Sequence, residues 1–441
     1  MNVALLCCYE MGRQPFGLAS PAAWLQSGGH EVYCGDLSVD RLNREFIERA
    51  GLIAFYLPMH TATRLAIPAM EAVRGINPAA HLCCYGLYAP LNEAFLREMG
   101  ANTVVGGEFE AALLRLADAL QRGRAPDKEA AVNLDRLQFQ VPDRSGLPEA
   151  TSYAKLRVGP EARLAGYTEA SRGCKHLCRH CPVVPVYNGA FRVVQPEVVL
   201  ADIRRQVAAG VQHISFGDPD FLNGPAHALR VVEALHREHP GITYDATIKI
   251  EHLRRHSQLL PALKRTGCLF VTTAVESLDD AVLEKLDKGH TCLDFYAVVE
   301  NFRQIELKLT PTFIAFTPWT SVESYRRFLA SIRDLDLIEN VSPIQLALRL
   351  LIPAGSRMLE LQEIRAVVTA FDGPALLHRW EHPDTAVDRL AEAALKLASL
   401  KGTRRELFRQ LWELAYGEPL YEPLDLVPRA AIPYMDEPWY C

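Results

Sequence analysis

Apolar residues fall in short runs separated by stretches in which they recur at helical spacing. This alternation predicts strands and helices in turn. Val3 to Cys8 reads as a buried strand, followed by a loop over Tyr9–Pro21 and a helix that stops at Gly28-Gly29. Glu31–Cys34, Leu52–Tyr56, His81–Tyr85 and Thr103–Val105 read as further strands. Thr61–Arg74, Asn92–Met99 and Glu110–Leu120 read as the helices among them. Such a succession predicts a doubly wound parallel sheet over residues 1–125, with its ligand crevice at the carboxyl ends of the strands. The loops at those ends are Tyr9–Ser20, Pro58–Thr63, Gly86–Asn92 and Gly106–Glu110.

A polar strap with scattered proline, residues 126–163, leads to a second run of alternation over 164–355. Here the expected strands are Leu164–Ala170, His213–Phe216, Thr243–Ile250, Leu269–Val275, Leu309–Phe316 and Ile344–Leu351. Helices are expected at Pro196–Ala209, His227–His236 and Leu259–Thr266, and in a segment running through Leu286. Six βα units result, and the polar clusters Gly217-Asp218-Pro219-Asp220, Lys249/Glu251, Glu276-Ser277 and Thr317-Pro318-Trp319 all fall at strand ends. Residues 356–441 predict three amphipathic helices, Glu360–Ala370, Ala386–Leu400 and Arg404–Ala415, and then a proline-spaced aromatic tail ending in Cys441.

Composition changes this picture little. A chain of 441 residues, half apolar and with a formal charge of −6, has an ordinary globular make-up with no global reason to bind nucleic acid or membrane. The opening apolar run lacks a basic flank and reads as a strand, not a leader. Eleven cysteines spread through a long chain do not resemble a secreted disulfide scaffold, so a reducing cytoplasm is expected.

Ser171-Arg-Gly-Cys174-Lys-His-Leu-Cys178-Arg-His-Cys181-Pro182 carries the clearest chemistry. Three cysteines in a C-x3-C-x2-C loop can aim three thiolates at one small object, one fewer than a closed zinc or fully protein-held iron–sulfur site takes. The spacing alone leaves two alternatives: a zinc loop completed by His176 or His180, and three unrelated buried cysteines. The loop resembles that of the radical S-adenosylmethionine (SAM) superfamily, with His180 where the family has an adenine-side residue. The segments FGDPDF, TIKIEHL and VTTAVESLDDAVLEKLDKGHT resemble its second, fourth and fifth strand ends. The resemblance implies a partial (β/α)6 barrel and a [4Fe-4S] cluster on Cys174, Cys178 and Cys181. It also implies SAM held by His180, Gly217, Asp218, Lys249, Glu251, Glu276 and Ser277, of which the acidic residues also read as helix N-caps or surface ion pairs.

Residues 1–125 resemble the cobalamin-binding domain that precedes many such cores, through PFGLASPAAWLQSGGHEVYCGD, LIAFYLPMHTATR and VVGGEFEAAL. That likeness implies a cobalamin cradle of Phe16, Gly17, Leu18, His60, Thr61, Gly86, Gly106, Gly107 and Glu108. The D-x-H-x-x-G cobalt-ligand motif is absent, and a lone histidine after a strand, as His60 is, reads more often as a hydrogen-bonded loop residue than as a cobalt ligand. From YEMGRQPFGLASPAAWL to DEPWYC the chain resembles radical SAM proteins named for a CUAEP or CCAEP tail, U being selenocysteine. This implies a reading frame continuing past Cys441 through a selenocysteine codon, with Cys441 as a substrate or redox thiol.

The expected function is reductive cleavage of SAM followed by cobalamin-assisted methyl transfer. The alternative is 3-amino-3-carboxypropyl or methyl transfer to a soft atom held by tail thiol or selenol. A non-enzymatic iron–sulfur or zinc carrier, or a cobalamin-binding sensor, is the reading from another class. Expected partners are a small-molecule or metalloid substrate and an electron donor such as flavodoxin or ferredoxin, with no nucleic acid and no membrane.

Overall fold

The computed structural model describes residues 1–125, 131–420 and 432–436. Strands β1 (Asn2–Cys7), β2 (Glu31–Asp36), β3 (Leu52–Tyr56), β4 (His81–Tyr85), β5 (Thr103–Gly107) and β6 (Val132–Asn133) form one sheet, ordered β2-β1-β3-β4-β5-β6. All its pairs are parallel. β3 is buried along its whole length because helices cover both faces, which is why these strands read as continuous apolar runs.

The first helix, Phe16–Ser27, starts earlier than the sequence predicts and carries Pro21 inside it. Proline lacks the N–H that would bond four residues back. The carbonyl so released, that of Gly17, instead accepts the hydroxyl of Tyr85 at 2.7 Å. A tertiary contact thus tolerates a residue that reads locally as a breaker.

A second sheet holds β7 (Lys155–Val158), β8 (Glu161–Thr168), β11 (His213–Phe216), β12 (Thr243–Thr247), β13 (Cys268–Glu276), β14 (Lys308–Phe313) and β17 (Tyr434–Met435). Between β8 and β11 lies the ribbon β9 (Ser171–Gly173) with β10 (Phe191–Val193). Between β14 and β17 lies the hairpin β15 (Val368–Asp372) with β16 (Leu377–Trp380). β8 and β11 to β14 are parallel and ordered β14-β13-β12-β11-β8, a half-barrel over a large apolar core. The sixth strand expected at Ile344–Leu351 is reduced to a short 3-10 turn, Pro343–Leu346, and one parallel bridge between Phe316 and Arg349.

The helix expected over Glu360–Ala370 gives way to short turns and the β15–β16 hairpin, whose Val368 and Thr369 are β-branched. Helices Thr385–Ala398 and Arg404–Tyr416 cap the barrel as the periodicity predicts. Residues 432–436 return to the core: β17 pairs with β7, and Asp436 accepts from the Lys155 N–H and the Arg157 guanidinium. Cys441 lies outside the described residues. No helix among them is long and apolar enough to cross a membrane.

Candidate functional site

Both parallel sheets present the carboxyl ends of their strands to a common interface, and the cysteine loop lies there. β9 feeds Gly173, whose φ of 72° brings its backbone against the Ala190 carbonyl and the Tyr187 ring. A Cβ at this position would come within 2.3 Å of the Ala190 oxygen, so only glycine admits the turn. Cys174, Cys178 and Cys181 follow, with the Cys181 N–H donating to the Cys178 carbonyl. Cys178 is buried and the other two are partly exposed. Burial raises the Cys174 thiol and pushes Cys181 up to about 12, so these groups stay protonated unless a metal takes the proton's place.

Charge is concentrated opposite the loop. Glu276 ends β13 in the left-handed region, at φ 69°, after a break in register with β14. Its Oε1 lies 3.1 Å from His180 Nε2 and 3.3 Å from Lys288 Nζ. Burial alone would raise its carboxyl, but Lys288 and His180 outweigh burial and hold it at about 2. Lys288 is raised in turn: burial opposes its charge, and Glu276 with the nearby Cys178 and Cys181 more than restores it. For Cys181 the Lys288 ammonium opposes, without overcoming, the rise that burial imposes. Three soft donors on one tight loop with this cation alongside fit an iron–sulfur cluster with one iron left open.

The SAM-site residues named from sequence have diverse surroundings. Lys249 is buried, 3.7 Å from Glu251. Glu251 also pairs with Arg255 and lies 3.4 Å from His176 Nδ1. Ser277 accepts from the Asp279 N–H and so shapes the turn into the next helix. Asp218 does not face an open site. Its carboxylate accepts from the Ala170 N–H at 3.0 Å and from the Ser171 hydroxyl, bracing the strand end that launches the loop. Burial pushes it up to about 7. Gly217 serves Tyr167, whose hydroxyl would lie 1.9 Å from an added Cβ. Three groups that strand-end reasoning missed also belong here: Lys288, His252, and His290, with both ring nitrogens buried and without a hydrogen-bond partner. The only local signal was a lysine and histidine just past a helix.

The residues named from sequence for a cobalamin cradle pack closely on their neighbours. Gly17 packs against the Tyr56 ring, and Leu18 is fully buried in the core. Gly106 and Gly107 pair with β6, where a Cβ on Gly107 would sit 2.1 Å from the Asn133 oxygen. Gly86 packs on the Leu57 carbonyl and the Tyr56 ring. His60 Nε2 donates to the Ala375 carbonyl at 2.8 Å, and Thr61 follows it in the helix His60–Ile76.

Glu108 is held by Arg172 and Tyr187. Arg172 binds Glu110 and Glu169, both at 2.6 Å, and lies over the rings of Phe16, Phe109 and Phe139. This ion-and-aromatic node occupies the interface between the two sheets. The glycines expected at a corrinoid lie close to protein backbone and tyrosine rings, contacts that only a residue without a Cβ allows.

A sequence model of the radical SAM superfamily matches residues 168–329, the half-barrel and its cysteine loop. The hopanoid C-3 methylase of Methylococcus capsulatus is 24% identical over 325 residues, covering 69% of this chain and 62% of the relative. The bacteriochlorophyllide d C-12(1)-methyltransferase of Chlorobaculum tepidum is 26% identical over 221 residues, 48% of this chain and 46% of the relative. The chain thus spans less than two thirds of the length of either. Among solved structures, the radical SAM methyltransferase TsrM of Kitasatospora setae superposes with a TM-score of 0.67 at 16% identity, covering 90% of this chain and 89% of that one. The cobalamin-dependent SAM radical enzyme OxsB gives 0.70 at 14%, covering 89% and 66%. These likenesses share the two-sheet fold. With the three-cysteine loop seated at the mouth of the matched half-barrel, residues 168–329 form a domain of the radical SAM superfamily, whose enzymes use a [4Fe-4S] cluster and SAM.

Proposed function

We propose that the chain cleaves SAM reductively at a cluster held by Cys174, Cys178 and Cys181 and passes a SAM-derived group to a small-molecule or metalloid substrate. The observation that carries this reading is the buried pair Glu276 and Lys288 facing the loop, with Glu276 3.1 Å from the loop's own His180. Homolysis of the SAM sulfonium is the chemistry that a reduced cluster supplies. The chain's own residues bind and orient. Lys249 and Lys288 offer ammonium groups to a carboxylate, Glu251 and Glu276 offer acceptors to hydroxyl or amino groups, and the closed interface excludes water.

Methyl transfer is the reading favoured by the two curated relatives, a methylase and a methyltransferase. A second reading, which the same reaction with SAM distinguishes, is transfer of the 3-amino-3-carboxypropyl group. That fragment comes from SAM directly and needs no separate methyl carrier. The test is anaerobic reconstitution, metal and corrinoid analysis, and reaction with SAM and dithionite. About four irons per chain with 5′-deoxyadenosine released supports radical cleavage toward the ribose. Methylthioadenosine supports the second reading. Intact SAM with a fully assembled cluster refutes both. Stoichiometric cobalt in protein from a corrinoid-rich host would show that the interface opens for the cofactor.

A further inference from the structure

Beside the cysteine loop, three elements distant in sequence bring two imidazoles and a carboxylate together: His176 from the loop, Asp220 after β11 and His252 from the short helix Ile250–Arg255 after β12. Their ligand atoms lie within 4.8 Å of one another. His252 Nδ1 is 2.7 Å from Asp220 Oδ2, and His176 Nε2 is 3.6 Å from the same oxygen. All three atoms are enclosed, and none has an aligned hydrogen-bond partner in the protein. Three enclosed ligand atoms this close together border a common point that one ion could occupy. Three buried polar atoms left this way would cost heavily unless something occupies that point.

The surroundings fix the set. Asp220 Oδ1 is used, accepting from the Leu222 N–H at 3.3 Å and the Lys249 N–H at 3.4 Å, which leaves Oδ2 to face the histidines. Glu251 Oε2 lies 3.4 Å from His176 Nδ1. A carboxylate on that side occupies the place that an outer carboxylate takes behind a metal-bound histidine. The two rings stand 4.8 Å apart and tilted, so neither blocks the other's nitrogen.

We propose that His176, Asp220 and His252 form a mononuclear site for a divalent first-row transition ion of the zinc or ferrous class, separate from the cysteine-held cluster. Two imidazole nitrogens and one carboxylate oxygen match that class, being too nitrogen-rich for calcium or magnesium and lacking the thiolates of a soft-metal site. Three protein ligands leave a coordination position open, the pattern of sites that bind a substrate or water. The ion would sit next to the loop, where its open position can hold an anionic or hydroxyl group of the substrate near the SAM site.

The test uses the full chain in two forms: cluster-reconstituted wild type, and the Cys174→Ala/Cys178→Ala/Cys181→Ala variant that lacks the cluster. Each is titrated anaerobically with Co(II), whose ligand-field bands report coordination, and then with Zn(II) as competitor. One tight equivalent in both forms, with nitrogen–oxygen bands and no thiolate charge transfer, is the expected result. His252→Ala and, separately, Asp220→Asn should weaken Co(II) binding roughly 100-fold or more while iron content and far-UV circular dichroism stay unchanged. Asp220→Asn keeps an oxygen for the Leu222 and Lys249 N–H groups, so it guards against a folding artefact. Absence of a tight equivalent in the cluster-free variant would overturn the proposal. Stoichiometric displacement of Co(II) by SAM would also overturn it, because the three atoms would then be SAM contacts.

Discussion

Replacing Arg172 with methionine should open the interface between the two sheets, and the size of the effect follows from the charges around it. The guanidinium is 6% exposed and binds Glu108, Glu110 and Glu169, of which the first two are fully buried. One cation faces three carboxylates, and the imbalance falls on Glu108. Burial, reinforced by Glu110 and Glu169 and opposed by Arg172, pushes Glu108 up to about 7. Methionine keeps the length and apolar stem but leaves the carboxylates unpaired in a dry setting, a loss of about 3–5 kcal/mol.

The loss has a pH signature. Glu108 binds its proton more tightly folded than unfolded, so its contribution is greatest below the ordinary 4.5 and declines as the pH rises toward 7, by about 3 kcal/mol in all. Without Arg172 its carboxylate neighbours are uncompensated too, and the decline steepens. Urea unfolding at about pH 8 and about pH 5.5 measures this, and the wild-type-to-variant gap should be clearly larger at the higher pH. A variant as stable as wild type at the higher pH, or a gap that ignores pH, would refute the account of the node.

Other consequences are as direct. Gly217→Ala would push a methyl to 1.9 Å from the buried Tyr167 hydroxyl, and overpacking of this kind costs about 1–3 kcal/mol by denaturant melt. Glu276→Gln removes a carboxylate held at about 2. Its stabilising share is present above the ordinary 4.5 and disappears as the pH falls toward 2, so the variant should lose up to about 3 kcal/mol at neutral pH and nothing near pH 2. Asp218→Ala deletes the acceptor of the Ala170 N–H and Ser171 hydroxyl. Losses of about 1–3 kcal/mol per stranded buried group should appear as poorer iron retention at unchanged cysteine content.

Local pattern and composition carried the frame of this protein. Alternating apolar runs and helical periods told of two parallel sheets because strands buried on both faces must be apolar throughout, as Val3 to Cys7 and Leu52 to Tyr56 are. The cysteine spacing exposed the loop because its three thiols lie within eight positions of one chain segment. Boundaries were less legible where a distant group satisfies a local defect. Pro21 sits inside a helix because Tyr85, from another strand, takes up the Gly17 carbonyl.

The use of each charged residue was decided only in three dimensions. Asp218 and Asp220 are two positions apart, yet one braces a backbone turn and the other faces two histidines. Glycines that read as room for a ligand give way to a tyrosine ring and a short strand. Sequence thus determined which chemistry the chain carries, because thiols and strand periods are local. Only the tertiary structure decided where that chemistry has room to act, because buried charge and excluded volume depend on which side chains arrive from elsewhere in the chain.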